Sequence, residues 1–380
     1  MIAQENNTLF SKVLADIGRC KSNRINFIPF SNFKRFSSDY CGILKDDYTI
    51  ITSGSGTGKS KFMFSQYILE PIKYIINNDF NDVDVKIFLN SLEEPADKII
   101  YNLICTLLYQ HGIYVDIRQL KGIPNTDSLT DELITKIKSL QPFFNMLESK
   151  VEISSFNHTA KSIYERTKNY LIKQDIGKVI TNSSGNQEYV PKNPNLFTIH
   201  ITDHIGLITP SKEEGTTFNA IERHSTYNNL TLKNLYKCQV VDVQQQTALS
   251  ETLDFNYKGV LNEQKLKPSR DGLQYHKNTF NNASFVLGLF APFRHKIEEY
   301  NGYNLSLLQD SYRYLEILKA REGTLCGIDL FYKGAIGEFE EIPSIMSNKD
   351  YSYYCGIMDK YKALVPDKKK EERQETIYSL

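Results

Sequence analysis

Short apolar runs recur along the chain and are separated by longer stretches with helical periodicity. Strands are predicted for YTIIT (48–52), VKIFLNS (85–91), LFTIHITDHIGLI (196–208), CQVVDVQQQ (238–246) and ASFVLGLFA (283–291). The nearly continuous apolar character of these runs favours strands that are buried on both faces of a sheet.

Helices are predicted in the connections between these strands. The periodic segments run from about Lys59 to Asn77, from Glu94 to a stop at Gly112, over most of 114–175 around a strand at 151–155, and over 217–237. Strands that alternate with helices predict an α/β fold, with a mostly parallel central sheet and helices on both of its faces.

Less regular segments complete the pattern. A short amphipathic helix is predicted from Leu9 to Ile17, whereas residues 21–46 and 247–279 have no regular pattern. Turn signals at 175–195 are typical of a surface hairpin or loop. The runs YRYLEILKA (312–320) and GIDLFYKG (327–334) are predicted to close the sheet as a strand pair.

Composition excludes some classes of protein. Lys plus Arg and Asp plus Glu both number 45 among 380 residues, which excludes a uniformly basic coat but leaves room for a locally basic channel. The six cysteines have no metal-ligand or redox spacing. The chain carries no signal-peptide pattern and no membrane-length apolar run, so a soluble, cytoplasmic protein is expected. Abundant Asn, Ile, Lys and Tyr hint at an AT-rich genome, such as that of a phage.

The loop after the first strand carries the strongest chemical signal. Ser53-Gly54-Ser55-Gly56-Thr57-Gly58-Lys59-Ser60 matches the phosphate-binding pattern G-x-x-x-x-G-K-[ST], except that Ser stands at the first position. Small residues let backbone N–H groups face a phosphate, and the next helix presents its N-terminus to the same anion. Lys59 is predicted to neutralise the β- and γ-phosphates of ATP, and Ser60 to ligate Mg²⁺. The alternative is a surface turn, but the flanking strand and helix supply the context that a phosphate loop needs.

Two acidic positions follow predicted strands. Asp203 closes LFTIHITD, where a phosphate-loop protein needs a carboxylate on the metal side, although a strand-end Asp also commonly caps a turn. Glu93 follows VKIFLNSL and is placed to orient or deprotonate water. The alternative for this position is a helix-start carboxylate, and Glu94 fits that alternative better.

Four segments, in their order along the chain, resemble DnaB-type replicative helicases and phage primase-helicases, which are RecA-like hexameric ATPases of superfamily 4. The segments are DDYTIITSGSGTGKS, FLNSLEE, TIHITDHIGLI and LKAREGTLCGIDLFYKGAIGEFEE. The resemblance covers roughly Asn26 to Ile342. It implies a RecA-like ATPase core at 26–345, an N-terminal extension with a linker helix at 1–25, and a C-terminal tail at 346–380.

The resemblance also implies roles for residues of the nucleotide site. Lys59 and Ser60 would be the Walker A pair, which binds the phosphates and Mg²⁺. Glu93 would be the catalytic glutamate that activates water, and Asp203 would be the Walker B carboxylate.

Two further motifs are implied by the same resemblance. Gln245 would sense the γ-phosphate, with Gln244 as the second choice because three adjacent glutamines blur the register. Lys319 and Arg321 of LKAREG would reach the nucleotide of a neighbouring subunit, with Arg321 as an arginine finger. The alternative is that these two cations are one exposed face of a strand.

Loops that follow the Walker B and sensor strands face the central channel in RecA-like hexamers. The resemblance places Pro210–Phe218 and Thr247–Asn278 there. Candidate DNA contacts in the second loop are the cations Lys258, Lys265, Lys267 and Arg270, with Phe255 and Tyr257 for stacking. Solvated loop charge is the competing interpretation for each of them.

The resemblance implies an ATP-dependent replicative-type DNA helicase, a hexameric ring that translocates on single-stranded DNA with ATP and Mg²⁺. Expected partners are single-stranded DNA, copies of the same chain, and replication proteins such as a primase, a loader or a polymerase. One alternative is a RecA-like DNA-binding ATPase without unwinding, such as a recombinase or helicase-loading factor. Another is a protein whose nucleotide state switches an assembly. A kinase is disfavoured, because LKAREG and Glu93 would then lack roles.

Overall fold

The computed structural model describes residues 27–342 except 41, 79–81, 125, 156–157, 183–184, 248–251 and 253–261, together with residues 10, 11, 13, 14, 17, 18 and 356. Within these residues, nine strands form one central sheet. In chain order they are β1 (Asp47–Ser53), β2 (Asp84–Ser91), β3 (Val151–Ser154), β4 (Leu196–Asp203), β5 (Gln239–Gln245), β6 (Phe285–Phe290), β7 (Tyr312–Ala320), β8 (Gly327–Lys333) and β9 (Glu338–Ile342).

The sheet is parallel through its centre and antiparallel on one side. Its strand order is β9-β8-β7-β6-β1-β5-β4-β2-β3. Pairing is parallel from β6 to β3 and antiparallel from β6 to β9. We call the side where the parallel strands end the carboxyl edge, and the opposite side the amino edge. The predicted α/β fold, its mostly parallel sheet and its closing strand pair, β7 with β8, are confirmed.

Helices fill the connections between the strands. The main ones are α1 (Lys34–Tyr40), α2 (Lys59–Phe64), α3 (Glu70–Asn77), α4 (Ala96–Gln110), α5 (Asp131–Ser139), α6 (Gln141–Lys150), α7 (Ala160–Leu171) and α8 (Thr217–Thr226). The π-helical segment Ser65–Leu69 joins α2 to α3, and a second one, Tyr227–Lys233, continues α8. Single helical turns lie at Ile117–Leu120, Glu263–Leu266, Thr279–Asn282 and Leu305–Leu308.

Side chains of the central strands divide into two cores because they alternate between the faces of the sheet. On the front face, Ile51 and Val241 belong to the large cluster that contains the apolar residues of α2. On the rear face, Ile50 and Val240 belong to a smaller cluster beneath the segment Tyr227–Lys233. This division decides which side chains near the phosphate loop lie on the same face as α2.

One prediction for the first part of the chain is wrong. Residues 21–46 contain α1, and two short strands, Phe27–Ile28 and Ile43–Leu44, pair beside it. Phe33, Phe36 and Tyr40 have helical spacing and are all buried, which stabilises α1 against the sheet. The polar residues between these aromatic positions obscure that signal in the sequence.

Other segments agree with the sequence pattern where the structure describes them. Gly177–Thr181 and Gln187–Pro191 form the predicted hairpin. Positions 10, 11, 13, 14, 17 and 18 are helical. Most of 248–261 and of the predicted tail at 346–380 lies outside the described residues. No helix within the described ranges is long and apolar enough to cross a membrane.

Candidate nucleotide-binding site

The phosphate loop connects β1 to α2 at the carboxyl edge of the sheet. Gly58 has a φ of 108°, and a Cβ atom there would lie 2.8 Å from Cζ of the Tyr332 ring, so glycine is required. Ser53 ends an extended strand, where glycine is not required. Its buried hydroxyl donates to the carbonyl of Gly54 at 3.0 Å and contacts the hydroxyl of Thr57. The serine that departs from the usual pattern therefore stabilises the loop from inside.

The ammonium group of Lys59 lies within the phosphate loop. Its Nζ donates to the carbonyl oxygens of Ser53 at 3.1 Å and Gly54 at 2.7 Å, and the side chain is buried. A phosphate group would compete with these neutral carbonyls for the charge, because hydrogen bonds between charged partners are the stronger ones.

Replacing Lys59 by alanine is expected to weaken ATP binding about thirtyfold, the loss of one charged hydrogen-bond donor. Lys61→Ala is the matched control, because Lys61 donates to Asn102 instead. Titration with a fluorescent ATP analogue measures both affinities. Equal affinities for the two variants would contradict the assignment of Lys59.

Asp203 ends β4 as a buried carboxylate at the carboxyl edge. Neither of its oxygens accepts a hydrogen bond of good geometry from the residues that the structure describes. Burial raises the pKa of Asp203 to about 7, and the charges of Glu93 and Glu94 act in the same direction. The Ser60 hydroxyl and the Lys59 ammonium lie close enough to oppose that shift. An unpaired buried carboxylate beside a hydroxyl is costly unless a ligand completes it.

The Asp203–Ser60 pair fits Mg²⁺. Magnesium binds oxygen ligands and is commonly held by one or two protein groups together with phosphates and water. No cluster of three or more His, Cys, Asp or Glu side chains placed to hold a metal occurs in the described part of the chain. Any divalent cation here would therefore rest mainly on the nucleotide, with Ser60 and Asp203 as its protein contacts.

Asp203→Asn is expected to raise the free energy of unfolding at pH 8, without Mg²⁺ or nucleotide, by on the order of 3 kcal/mol. The folded-state pKa of Asp203, about 7, lies above the ordinary aspartate value of 3.8, so charge on this group opposes folding above pH 7. That penalty is lost as the pH falls from 7 to 4, and the two proteins then converge. Urea unfolding across this range measures the effect.

Asp242→Asn is the control for this prediction. Asp242 is also fully buried, but it accepts hydrogen bonds from Tyr48 at 2.6 Å and Asn228 at 3.0 Å and pairs with His224 at 3.0 Å. Its substitution should lower stability at pH 8 by about 2 kcal/mol. A loss of stability in both variants would mean that Asp203 has partners in the folded protein.

Glu93 lies two residues beyond β2, whose last residue, Ser91, pairs directly with Asp203. Its Oε2 is 4.0 Å from Nε2 of His204, and half of the side chain is exposed. His204 Nδ1 accepts a hydrogen bond from the Gly206 backbone, and burial lowers the pKa of His204, so a neutral ring faces Glu93. Glu93 is thus accessible to water at the carboxyl edge.

Glu94 points elsewhere than Glu93. Its Oε1 pairs with Lys98 at 2.7 Å, one helical turn along α4. Its backbone carbonyl accepts a hydrogen bond from the Ser91 hydroxyl at 2.6 Å. These contacts match the alternative of a helix-start carboxylate for Glu94.

The three consecutive glutamines at the end of β5 have different surroundings. Gln244 donates to the carbonyls of Gln274 and His276, and Gln246 donates to Thr52 and to the carbonyl of Ser269. The side chain of Gln245 makes no hydrogen bond to the described residues. Gln245 pairs with Ser53 and, by strand alternation, shares the front face with α2. Its amide is the one that remains available to a ligand beside the loop.

Lys319 and Arg321 lie apart from the residues above. The backbone N–H of Arg321 donates to Ser284, and that of Ser284 donates to Tyr48, near the start of β1. The phosphate loop begins five residues later, after Ser53, which corresponds to roughly 16 Å along a strand. The two cations are therefore at the amino edge, away from their own phosphate loop.

A β-bulge in β7 also changes the face on which Lys319 lies. The β6–β7 register shifts between Val286 and Leu287, where Val286 opposes Lys319 and Leu287 opposes Ile317. Lys319 consequently follows Val286 onto the rear face, opposite to α2. Its Nζ donates to the carbonyls of Phe280 at 2.6 Å and Asn281 at 3.0 Å.

Lys319 belongs to a group of four cations. Burial, together with the charges of Arg321, Lys233 and Arg270, lowers the pKa of Lys319 to about 8. Mutual repulsion of this kind is relieved when an anion binds, so the group is suited to an anionic ligand.

The described candidates for DNA contact have different surroundings. Lys265 is exposed. Lys267 lies over the rings of Tyr300 and Tyr314, with its Nζ 5.3 and 5.5 Å from their centroids. Arg270 lies near Lys319, as described above. Lys258, Phe255 and Tyr257 lie outside the described residues.

Two arginines that the motifs do not identify also contact the phosphate loop. Arg294 donates to the carbonyl of Ser55 at 3.1 Å, and Arg313 donates to that of Thr57 at 2.8 Å. Asp310 pairs with both of them. The signal available in the sequence is an arginine soon after β6 and another at the start of β7, but neither spacing is specific.

The fold and the loop define this chain as a P-loop protein of the RecA-like α/β class. No protein-family model matches the sequence, and no curated protein gives a significant match. Among solved structures, the chain is similar to one described as an ATPase domain, with 16% identity, 89% of this chain and 100% of that chain covered, and a TM-score of 0.64.

It is also similar to one titled "The Structure Of A DnaB-Like Replicative Helicase And Its Interactions With Primase". There the identity is 17%, the coverage is 88% of this chain and 68% of that chain, and the TM-score is 0.62. The likeness to DnaB-type ATPase domains that the motifs predict is thereby confirmed for the fold.

Proposed function

We propose that the chain is an ATP-dependent DNA helicase of the replicative type, which forms a ring, a hexamer, and translocates on single-stranded DNA. One observation carries the proposal. The phosphate loop, Asp203 and Glu93 lie at the carboxyl edge, and a group of cations lies at the amino edge, on the opposite face. The two surfaces can meet only between neighbouring subunits, and a repeated head-to-tail contact of this kind gives a ring where its rotation closes.

In the proposed reaction, the residues at the carboxyl edge bind ATP and direct water. The phosphate loop and Lys59 hold the phosphates, and Mg²⁺ on Ser60 and Asp203 would neutralise charge. Glu93 accepts a proton from the attacking water, while Gln245 donates a hydrogen bond to the γ-phosphate. The neighbour's Lys319 and Arg321 supply positive charge to the phosphoryl group in transfer.

An exposed aromatic surface beside the catalytic carboxylates supports a link to DNA. Tyr275 and Phe218 are about half exposed, and Phe218 rests on His276 with ring centroids 4.3 Å apart. A Cβ atom at Gly206 would lie 2.9 Å from both Tyr275 and His204, so Tyr275 lies next to the residue that faces Glu93. Exposed rings suit stacking with unpaired bases of any sequence.

Two measurements test the proposed function. ATP hydrolysis should rise at least about tenfold when oligo(dT) is added, because DNA binding is expected to favour the conformation that hydrolyses ATP. The same sample with ATP and Mg²⁺ should displace the strand of a forked duplex. Stimulation without displacement would indicate a DNA-binding ATPase such as a recombinase or loader. An ATP hydrolysis rate that is the same with and without DNA would indicate a nucleotide-switched assembly.

A further inference from the structure

Arg313 is a buried cation that contacts the phosphate loop from the antiparallel side of the sheet. It is fully buried, and its guanidinium carbon lies 4.8 Å from the centre of the Tyr332 ring. Besides the bond to Thr57, it donates to the carbonyls of Asp310 at 2.7 Å and Tyr312 at 2.8 Å. Burying a guanidinium group is costly, so its position is strongly determined by these carbonyls.

Asp310 links this cation to a second one at the loop. Arg294 forms a two-point contact with Asp310, at 2.7 and 3.0 Å. Burial tends to raise the pKa of Asp310, but the hydrogen bond from Arg294 and the charge of Arg313 hold the pKa below its usual value. The carboxylate stays charged and fixes both guanidinium groups against carbonyls of the loop.

Strand β7 carries Arg313 at one end and the finger residues at the other. Arg313 is on the front face with Leu315 and Ile317, next to the phosphate loop. Arg321 follows eight residues later, at the amino edge and roughly 25 Å away along the strand. The bulge between these ends turns Lys319 to the rear face. One strand therefore touches a subunit's own phosphate loop and carries the cations for the next site.

The phosphate loop is the element that a bound nucleotide would change. Lys59 now donates to two carbonyls of the loop, and a phosphate would draw its ammonium group away from them. Arg313 holds a third carbonyl, that of Thr57. A shift of the loop would therefore be transmitted directly to β7.

We propose that Arg313 is a positioning residue that joins the phosphate loop to β7. The nucleotide state of one subunit thereby determines the positions that its Lys319 and Arg321 take in the nucleotide site of the neighbouring subunit. This inference rests on the proposed function, because it requires that the finger acts between subunits. It assigns to Arg313 an effect on a site that the residue does not touch.

Mixed assemblies test this effect. Wild-type protein is mixed with Lys59→Ala subunits, or with Lys59→Ala/Arg313→Lys subunits, at an ATP concentration too low to fill the weakened sites that lack Lys59. Hydrolysis per wild-type subunit is measured at equal mixing. We expect the double variant to lower that rate about fivefold more than the single variant does, the size of a modest coupling. Equal rates would overturn the proposal, because Arg313 would then act only on its own loop.

Lys59→Ala/Arg166→Lys is the matched control. Arg166 is another mostly buried arginine that donates to a backbone carbonyl, that of Glu152, near the edge strand β3. The Lys59→Ala/Arg166→Lys variant should lower hydrolysis per wild-type subunit no more than Lys59→Ala alone does. A loss as large as that caused by Lys59→Ala/Arg313→Lys would overturn the proposal. Native mass spectrometry measures incorporation. If neither Arg313→Lys nor Arg313→Gln subunits enter mixed assemblies while Arg166→Lys subunits do, Arg313 is a folding residue and the proposal fails.

A second mixture separates this inference from the proposed function. If Arg321→Ala and Glu93→Gln subunits recover no hydrolysis when mixed, the action of the finger between subunits fails. If that mixture recovers hydrolysis but Lys59→Ala/Arg313→Lys subunits lower the wild-type rate no more than Lys59→Ala subunits do, the proposed function stands and the role of Arg313 fails.

Discussion

Arg321→Ala is expected to lower ATP hydrolysis about a thousandfold, in line with the loss of an arginine finger. The structure motivates this expectation, because Arg321 is exposed at the amino edge, away from its own phosphate loop, and belongs to a group of cations. ATP binding should change little, since Lys59 and the loop are untouched. Steady-state hydrolysis and analogue binding measure the two effects separately.

Arg223→Ala is the control for this substitution. Arg223 is likewise an exposed arginine, but it pairs with Glu213 at 3.1 Å on α8. Its loss should leave hydrolysis within about twofold of the wild type, as expected for a surface ion pair. An Arg321→Ala protein that keeps wild-type turnover would favour the alternative that Lys319 and Arg321 are an exposed strand face.

Glu93→Gln is expected to lower hydrolysis by about three orders of magnitude while ATP still binds, because an amide cannot accept the proton of the attacking water. The carboxylate is half exposed at the carboxyl edge and lies within 4.0 Å of a neutral His204, so it is open to water. A single-turnover measurement with bound ATP separates the chemical step from binding.

Glu94→Gln is the neighbouring control. Glu94 is mostly buried just before α4 and pairs with the half-exposed Lys98, and removal of this pair should change turnover by less than about threefold. If Glu94→Gln stops hydrolysis and Glu93→Gln does not, the assignment of the catalytic glutamate is off by one residue.

The sequence predicts much of the fold because its local signals are strong and consistent. The predicted bounds of β1, β2, β5 and β6 agree with the structure to within two residues, whereas the run that contains β4 continues five residues past the end of that strand. α1 is the exception, since its helical signal comes from aromatic spacing that only burial against the sheet makes decisive. The strand β9 extends the sheet beyond the predicted closing pair, and its sequence, EFEEI, is too polar to be recognised alone.

The sequence predicts those residues of the candidate site that belong to recognisable motifs. Motif order places Lys59 in the loop-to-helix segment after β1, Asp203 at the end of β4 and Glu93 just beyond β2, and the register of β2 and β4 brings the last two together. The choice between the three glutamines needs the hydrogen bonds of Gln244 and Gln246, which the sequence does not contain. Arg313 illustrates the limit, because its contact with Thr57 joins residues 256 positions apart.

Mixing two inactive proteins tests most directly whether one nucleotide site is built from two subunits. Arg321→Ala subunits keep Glu93, and Glu93→Gln subunits keep Arg321, so an interface between them holds one complete site. We predict that ATP hydrolysis returns when the two are combined with Mg²⁺ and single-stranded DNA, and that the activity follows the amount of mixed assembly. No recovery at any ratio, with mixed assemblies verified by mass, would contradict the account.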